Sequence, residues 1–151
     1  MSDRRAGVLV PLFSIPSARS WGIGEIGDLP VFGDWARAAG LSAIQLLPIN
    51  EMAHGQSSPY SALSAMAIDP IFITIGDLPE FGALGGEPAL DPSQRARLEA
   101  VRHTTAVHHH EVRALKTGVL RTLFERFLET EWRSSGPRAE EMQAWTENEG
   151  W

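Results

Sequence analysis

The tripeptide Ser58-Pro59-Tyr60 carries the side chain best suited to meet a ligand. Pro59 stiffens the backbone ahead of the ring. Tyr60, the only tyrosine, offers a flat apolar face for the C–H face of a pyranose and a phenol for one of its hydroxyls. Ser58, Pro59 and Tyr60 are therefore the candidate substrate-binding residues, although a tyrosine that merely closes a loop is the commoner case. Trp21 could add a second aromatic wall, but a plug over the core is the plainer use of a tryptophan in a loop. The carboxylates able to do acid–base work are Glu25, Asp28, Glu51 and Asp69. Cleaving a glycosidic bond takes two carboxyl groups about 5–9 Å apart, and no spacing here pairs any two of these. Asp28 suits a helix cap and Asp69, before Pro70, suits a turn. Glu51 follows a strand, the right kind of place, but stands alone. No catalytic residue is assigned.

Metal and cofactor readings are weaker. His108, His109 and His110 are consecutive, so on a helix they point about 100° apart and cannot share one ion. His54 is alone in its loop, and there is no cysteine. Gly22 to Gly27 spells G-x-G-x-x-G, which tempts toward a dinucleotide loop. That motif needs its first glycine at the strand end, whereas Ser14 to Trp21 intervene, and Asp28 and Pro30 dress the helix start where phosphate would sit. The glycines read better as backbone that permits positive φ and close packing, or as a cleft wall. Ser57, Ser58, Ser61 and Ser64 cluster without a histidine–acid relay. We expect no metal and no cofactor.

These residues need elements to place them. Ala6 to Phe13 reads as a short buried strand, followed by a Gly/Ser/Pro loop. Asp28 then caps a helix with Pro30 in its first turn, with Leu29, Phe32, Trp35, Ala36 and Ala39 on one face and Gly40 as the stop. Ala43 to Ile49 is the next strand. Strand, helix and strand with short connections make a βαβ unit and parallel neighbours. The loop from Asn50 to Tyr60 leaves that second strand, and loops beyond strand ends are where α/β enzymes place their chemistry. Ser61 to Ala67 suits a helical turn or two with Leu63, Met66 and Ala67 buried. Ile71 to Ile75 suits an extended surface segment or edge strand, and Gly82 to Pro92 a loop. Residues 93–133 read as one or two helices with a break near His103–Thr105. Val112, Leu115, Val119, Leu123 and Phe127 form the stripe, widened by Phe124, Leu128 and Trp132. Ser134 to Pro137 is a turn before a last short helix with Met142 and Trp145 inward.

The chain has 151 residues, 43% hydrophobic and 21% charged, with a formal net charge of -6. The acidic balance, with a sequence pI near 5.3, argues against nucleic-acid and anionic-membrane partners. MSDRR lacks a following apolar leader segment and no apolar run approaches a membrane span, so the expected compartment is the cytoplasm. The ending ENEGW reads as a stop inside a longer chain. Two core strands beside long helices fit part of a barrel better than a doubly wound domain. Helical stripes with so little sheet to cover would make the isolated chain prone to aggregate.

Taken in order, the motifs resemble those of the 4-alpha-glucanotransferases, the amylomaltase or disproportionating-enzyme family, glycoside hydrolase family 77. Arg5 to Leu9 is similar to its first barrel strand, and Trp21-Gly22-Ile23-Gly24 with Gly27-Asp28-Leu29 to its GIGDLG loop. Ala39-Gly40 and Gln45 to Pro48 resemble AGxxxWQxLPL, Ser57 to Ser61 with Ser64-Ala65 resemble DSPYQSxSAFA, and Asp69 to Ile73 resemble NPLLIDL. The helix around Val112, Lys116 and Phe127 resembles the stretch after VDY, and Trp145 to Trp151 the approach to WLxDYALF. Ile44 for the family tryptophan, Asn50, Glu51 and His54 for Gly, Pro and Thr, and Ser57 for Asp are departures.

The resemblance implies an α/β fold, the N-terminal part of a (β/α)8 TIM barrel contributing its first two strands plus inserted helices. It implies retaining transfer of an α-1,4-glucan segment, from a maltooligosaccharide to another glucan. The nucleophilic aspartate, the acid/base glutamate and a further aspartate are expected on later strands. Tyr60 matches the tyrosine that stacks on donor sugar, with Ser58 and Pro59 holding it. The alternatives are a fragment of an alpha-amylase-like hydrolase and a non-catalytic sugar- or nucleotide-binding module.

Overall fold

A computed structural model describes residues 5–53, 55–56 and 58–149. His54, Ser57, Trp151 and the polar residues ahead of Arg5, all weighed above, lie outside the described residues. Strand β1 spans Gly7–Val10, helix α1 Leu29–Ala38 and strand β2 Ala43–Leu46. The strands pair in parallel, with Gly7 opposite Ala43 and Val10 opposite Leu46. This is the expected βαβ unit, and the fold is α/β with a small parallel sheet. Both strands are shorter than their apolar runs, because Pro11 and Pro48 cannot donate to a ladder. Gly40 ends α1 at φ +79°, a backbone region that favours glycine.

The remaining helices are α2 (Pro79–Ala83), α3 (Pro92–Arg102), α4 (His109–Phe127, continued by a π turn over Leu128–Trp132) and α5 (Pro137–Glu149). α3 starts with a reciprocal cap in which the Gln94 amide N–H donates to Asp91 and the Asp91 N–H donates to Gln94. The break between α3 and α4 falls where the sequence places it.

The core is not under the sheet. Leu12, Trp21 and Ile23 from the loop after β1, with Ile71, Phe72 and Ile75, pack on Leu98 and Val101 of α3 and on Val112, Leu115, Val119 and Leu123 of α4. The α4 stripe is thus covered by irregular chain rather than left bare, which corrects the expectation of helical stripes without a partner. Apolar surface is exposed instead on β1 and α1, where Leu9, Val31 and Trp35 are open to solvent.

Three further expectations are corrected. Ile71 to Ile75 is neither strand nor surface segment: Pro70–Phe72 and Ile75–Asp77 are single 3-10 turns, with Ile71, Phe72 and Ile75 buried. Asp69 caps the first of them through the Ile71 N–H, and side-chain donors from α4 take the carbonyls a neighbouring strand would have taken. Ser61 to Ala67 is not helical, and Leu63 and Met66 are exposed, because the segment pairs back on the chain leaving β2. Met142 and Trp145 on α5 face outward. α5 instead buries Ala139, while Arg138 pairs with Glu80 and stacks on Phe127 at 5.3 Å.

Candidate functional site

Because β1 and β2 are parallel, the loops that follow them leave the same edge of the sheet. The first loop runs from Pro11 to Asp28 and the second from Leu47 to Asp69. Each meets α4 through an ion pair, at Lys116 and at Arg113 respectively. These positions are three apart and so lie on one face of the helix.

In the first loop, Lys116 Nζ lies 2.6 Å from Glu25 Oε1, with both side chains 1% exposed. The same ammonium donates to the carbonyls of Ile71 at 2.7 Å and Ile73 at 2.8 Å, so its three donors are all used. Glu25 Oε1 also accepts from the Trp21 N–H at 3.0 Å. Burial pushes the Glu25 carboxyl up and the Lys116 ammonium down, and their mutual attraction opposes both shifts. We assign the charged pair, the form in which the Lys116 ammonium donates to Glu25 and to both carbonyls. Asp28 stands at the start of α1 but does not cap it. Its Oδ2 accepts from Ser20 Oγ at 2.8 Å and from the Glu25 N–H at 2.7 Å. Arg102 closes the loop from outside, donating to the Ser20 carbonyl and to both oxygens of Glu87. Trp21 is a plug, edge-on to Phe81 with ring centroids 5.6 Å apart, and walls no open groove. Glu25 and Asp28 are therefore structural acids. At Gly24, a Cβ would run into the Leu12 carbonyl, so close packing explains that glycine of the G-x-G-x-x-G run.

The second loop is a hairpin. The Glu51 N–H donates to the Ala67 carbonyl, the Leu63 N–H to Glu51 and the Ala53 N–H to Ser61, at 2.7–3.0 Å. Its tip is the turn Ser58 to Ser61, closed by the Ser61 N–H on the Ser58 carbonyl at 3.0 Å. Ser58 is exposed and Pro59 half-buried, while the Tyr60 side chain is 74% exposed. At the base, Asp69 is fully buried and accepts both Arg113 terminal nitrogens at 2.9 and 2.5 Å. It also accepts the Ile71 N–H at 3.0 Å and, at 3.4 Å, the Met52 N–H. Burial alone would raise this carboxyl, but the Arg113 and amide hydrogen bonds hold it below the usual range. Asp69 is thus a structural acid as well.

Between Glu51, Met52, Ala53, Gly55 and Gln56 on one side and α4 on the other lies a groove of about 930 Å³, whose lining includes His110, Arg113, Thr117 and Phe124. Tyr60 is not in its lining. Glu51 is the one candidate acid that faces it. His109 also reaches the groove and packs edge-on to Phe13 at 5.4 Å. No group of three metal-ligating side chains occurs among the described residues, and no helix is long and apolar enough to cross a membrane.

Lys116 and Arg113 were the side chains hardest to find in the sequence as site builders. The signal available was one of periodicity: Lys116 sits beside Leu115 on an otherwise apolar stripe, where a solvated lysine has no place.

The 4-alpha-glucanotransferase family matches residues 10–151. A 4-alpha-glucanotransferase of Chlamydia caviae is 32% identical over 119 residues, covering 79% of this chain and 22% of that protein. That of Chlamydia trachomatis serovar D is 36% identical over 110 residues, covering 73% and 20%. One from Oryza sativa subsp. japonica is 46% identical over 76 residues, covering 48% and 8%. The chain spans about a fifth of the length of the bacterial relatives it matches.

Proposed function

Because this chain belongs to the 4-alpha-glucanotransferase family, we propose that it forms the first part of a (β/α)8 barrel whose whole protein transfers α-1,4-glucan segments between glucans. The observation that carries the reading is the family match across residues 10–151, joined to an outward tyrosine on the loop beyond β2. Two parallel strands with exposed apolar surface on β1 and α1 support the barrel, since further strands and helices would cover Leu9, Val31 and Trp35.

Retaining transfer needs one carboxylate to attack the anomeric carbon and form a glycosyl ester, and a second carboxyl to protonate the leaving oxygen. Glu25 is committed to the buried Lys116, Asp69 to the half-buried Arg113 and Asp28 to two donors, so none of the three suits either task. The part that falls to this chain is binding. Tyr60 supplies an apolar face to a donor sugar, and the turn formed by Ser58 and Pro59 sets the ring's direction. The substrate on this reading is a maltooligosaccharide.

The test uses the whole protein with maltotriose. Transfer yields glucose together with chains longer than the substrate, whereas hydrolysis yields only shorter ones. Tyr60→Ala should lower kcat/KM about tenfold, the weight of one aromatic contact of roughly 1.4 kcal/mol. Products no longer than maltotriose would move the assignment to a hydrolase, and an unchanged kcat/KM in Tyr60→Ala would remove Tyr60 from the site.

A further inference from the structure

Resting on that reading of Tyr60, we propose that Asp69 and Arg113 are positioning residues, whose ion pair fastens both stems of the Tyr60 hairpin to α4 and so sets where the ring stands. The hairpin has little apolar anchorage of its own. Leu63 is 62% and Met66 66% exposed, and Met52 is its one buried apolar side chain among the described residues. Something other than packing must fix its angle to the rest of the molecule. Asp69 is placed to do so. It ends the returning stem, where its N–H donates to the Ile49 carbonyl at 2.9 Å. Its carboxylate accepts from the Met52 N–H on the outgoing stem and from the Ile71 N–H beyond the base. One side chain thus ties the two stems and the segment that follows them.

A fully buried carboxylate with only amide partners would still carry an uncompensated charge. Arg113 supplies the compensation as a planar fork with two parallel bonds, a geometry that fixes direction as well as distance. Because Arg113 sits one helical turn from Lys116, which is fully buried against the first loop, the fork is held on a rigid element. The hairpin's base is therefore registered to the core and to the first loop through one face of α4, while its tip stays solvent-facing. Among the described residues, the tip carries the Ser61 N–H to Ser58 carbonyl bond and the Tyr60 N–H to Ser58 Oγ contact at 3.4 Å, and the Ala53 N–H joins it to the outgoing stem at the Ser61 carbonyl.

The experiment compares the whole wild-type protein with Arg113→Ala and Arg113→Lys, each with and without Tyr60→Ala. Hydrogen exchange of residues 51–63 reads the fastening directly. Arg113→Ala should speed exchange there about tenfold or more, the weight of a charge-assisted pair. Arg113→Lys, with one donor in place of a fork, should restore at least half of the logarithmic difference. Kinetics with maltotriose read the consequence. Arg113→Ala should lower kcat/KM in the Tyr60 background but add less than about twofold once Tyr60→Ala is present, the non-additivity of residues acting through one another. Should Arg113→Ala fail to accumulate, Asp69→Asn, which keeps the shape and one acceptor, takes its place in the same comparison. Unchanged exchange at 51–63, or losses that multiply in the double variant, would overturn the proposal. If Tyr60→Ala alone leaves kcat/KM unchanged, the sugar reading falls by itself, and the exchange comparison still decides whether the pair fastens the hairpin.

Discussion

Replacing Lys116 with methionine keeps an unbranched stem of similar volume and removes only the ammonium. The Glu25 carboxylate then stays buried, with the Trp21 N–H as its remaining donor, and the Ile71 and Ile73 carbonyls lose theirs. The charge penalty has a ceiling, because Glu25 can take a proton instead. From its ordinary value of 4.5, holding it neutral at pH 7 costs about 3.4 kcal/mol at 1.36 kcal/mol per unit. The buried Ile71 carbonyl left without a partner adds about 1 kcal/mol or more, and the part-buried Ile73 carbonyl, open to water, adds less. The expected deficit at pH 7 is therefore about 4–5 kcal/mol, within the range for breaking a buried pair. The sign follows from the folded variant holding Glu25 protonated with a raised pKa. Stability is then fully present below the unfolded value and is lost as pH rises, so the deficit against wild type shrinks toward pH 5. Hydrogen exchange over residues 20–28 is the assay. The deficit corresponds to a rise of roughly a thousandfold in opening at pH 7. Glu25→Gln combined with Lys116→Met removes the charge term and should return most of the loss. An acceleration below about tenfold, or a deficit that does not change between pH 5 and 8, would refute the assignment of a charged buried pair as the fastening of the first loop.

Three other substitutions test neighbouring features. Burial lowers the His109 pKa, with the Arg113 charge adding to it and the Val107 carbonyl and Asp69 opposing. A depressed histidine favours the fold while neutral, so stability is full above its ordinary value of 6.5 and falls as pH drops through the folded value. Urea midpoints at pH 7.5 and 5 should differ more in wild type than in His109→Phe, which keeps the edge contact with Phe13; equal differences would sink this. Gly24→Ala should lower the melting temperature, since its Cβ meets the Leu12 and Ile15 backbone, an overpacking cost of about 1–3 kcal/mol. Gly33→Ala, with open space around it in α1, should be neutral or stabilising by up to about 1 kcal/mol.

The βαβ unit was legible because it rests on local rules: apolar runs ended by proline, a helix with Pro30 near its start, and Gly40 at its stop. The α4 stripe was legible from its spacing, and Val112, Leu115, Val119, Leu123 and Phe127 are all buried. What covers that stripe was not legible. Ile71 to Ile75 has the composition of a strand, and its conversion into two tight turns depends on Asp69 capping one end and Lys116 taking its carbonyls from far along the chain. The hairpin from Asn50 to Asp69 was misread for a related reason. Leu63 and Met66 suggest a buried helical turn, but pairing with residues 50–53 fixes that backbone and turns both side chains outward. At the candidate site, Tyr60 could be proposed from its type and its place past Pro59. Asp69 was legible as a turn residue ahead of Pro70, and it caps that turn, but its ion pair and that of Glu25 were not, since no local pattern links either residue to Arg113 or Lys116.

The two ion pairs also explain how irregular segments can serve as the lid of a core. A loop exposes backbone donors and acceptors that a strand would satisfy in its ladder, and burying them unpaired costs about 1–3 kcal/mol each. Here both loops and the chain beyond the second are satisfied from the side. Lys116 serves two carbonyls, Asp69 two amides, and Glu25 the Trp21 amide. Lys116, Glu25 and Asp69 are therefore each bonded both to a counter-charge and to backbone. Replacing a pair by apolar residues of equal volume, often harmless in a regular core, would leave those backbone groups without partners here. That dependence makes the polar contacts of α4, more than its apolar stripe, the feature that fixes where the two loops beyond the strands stand.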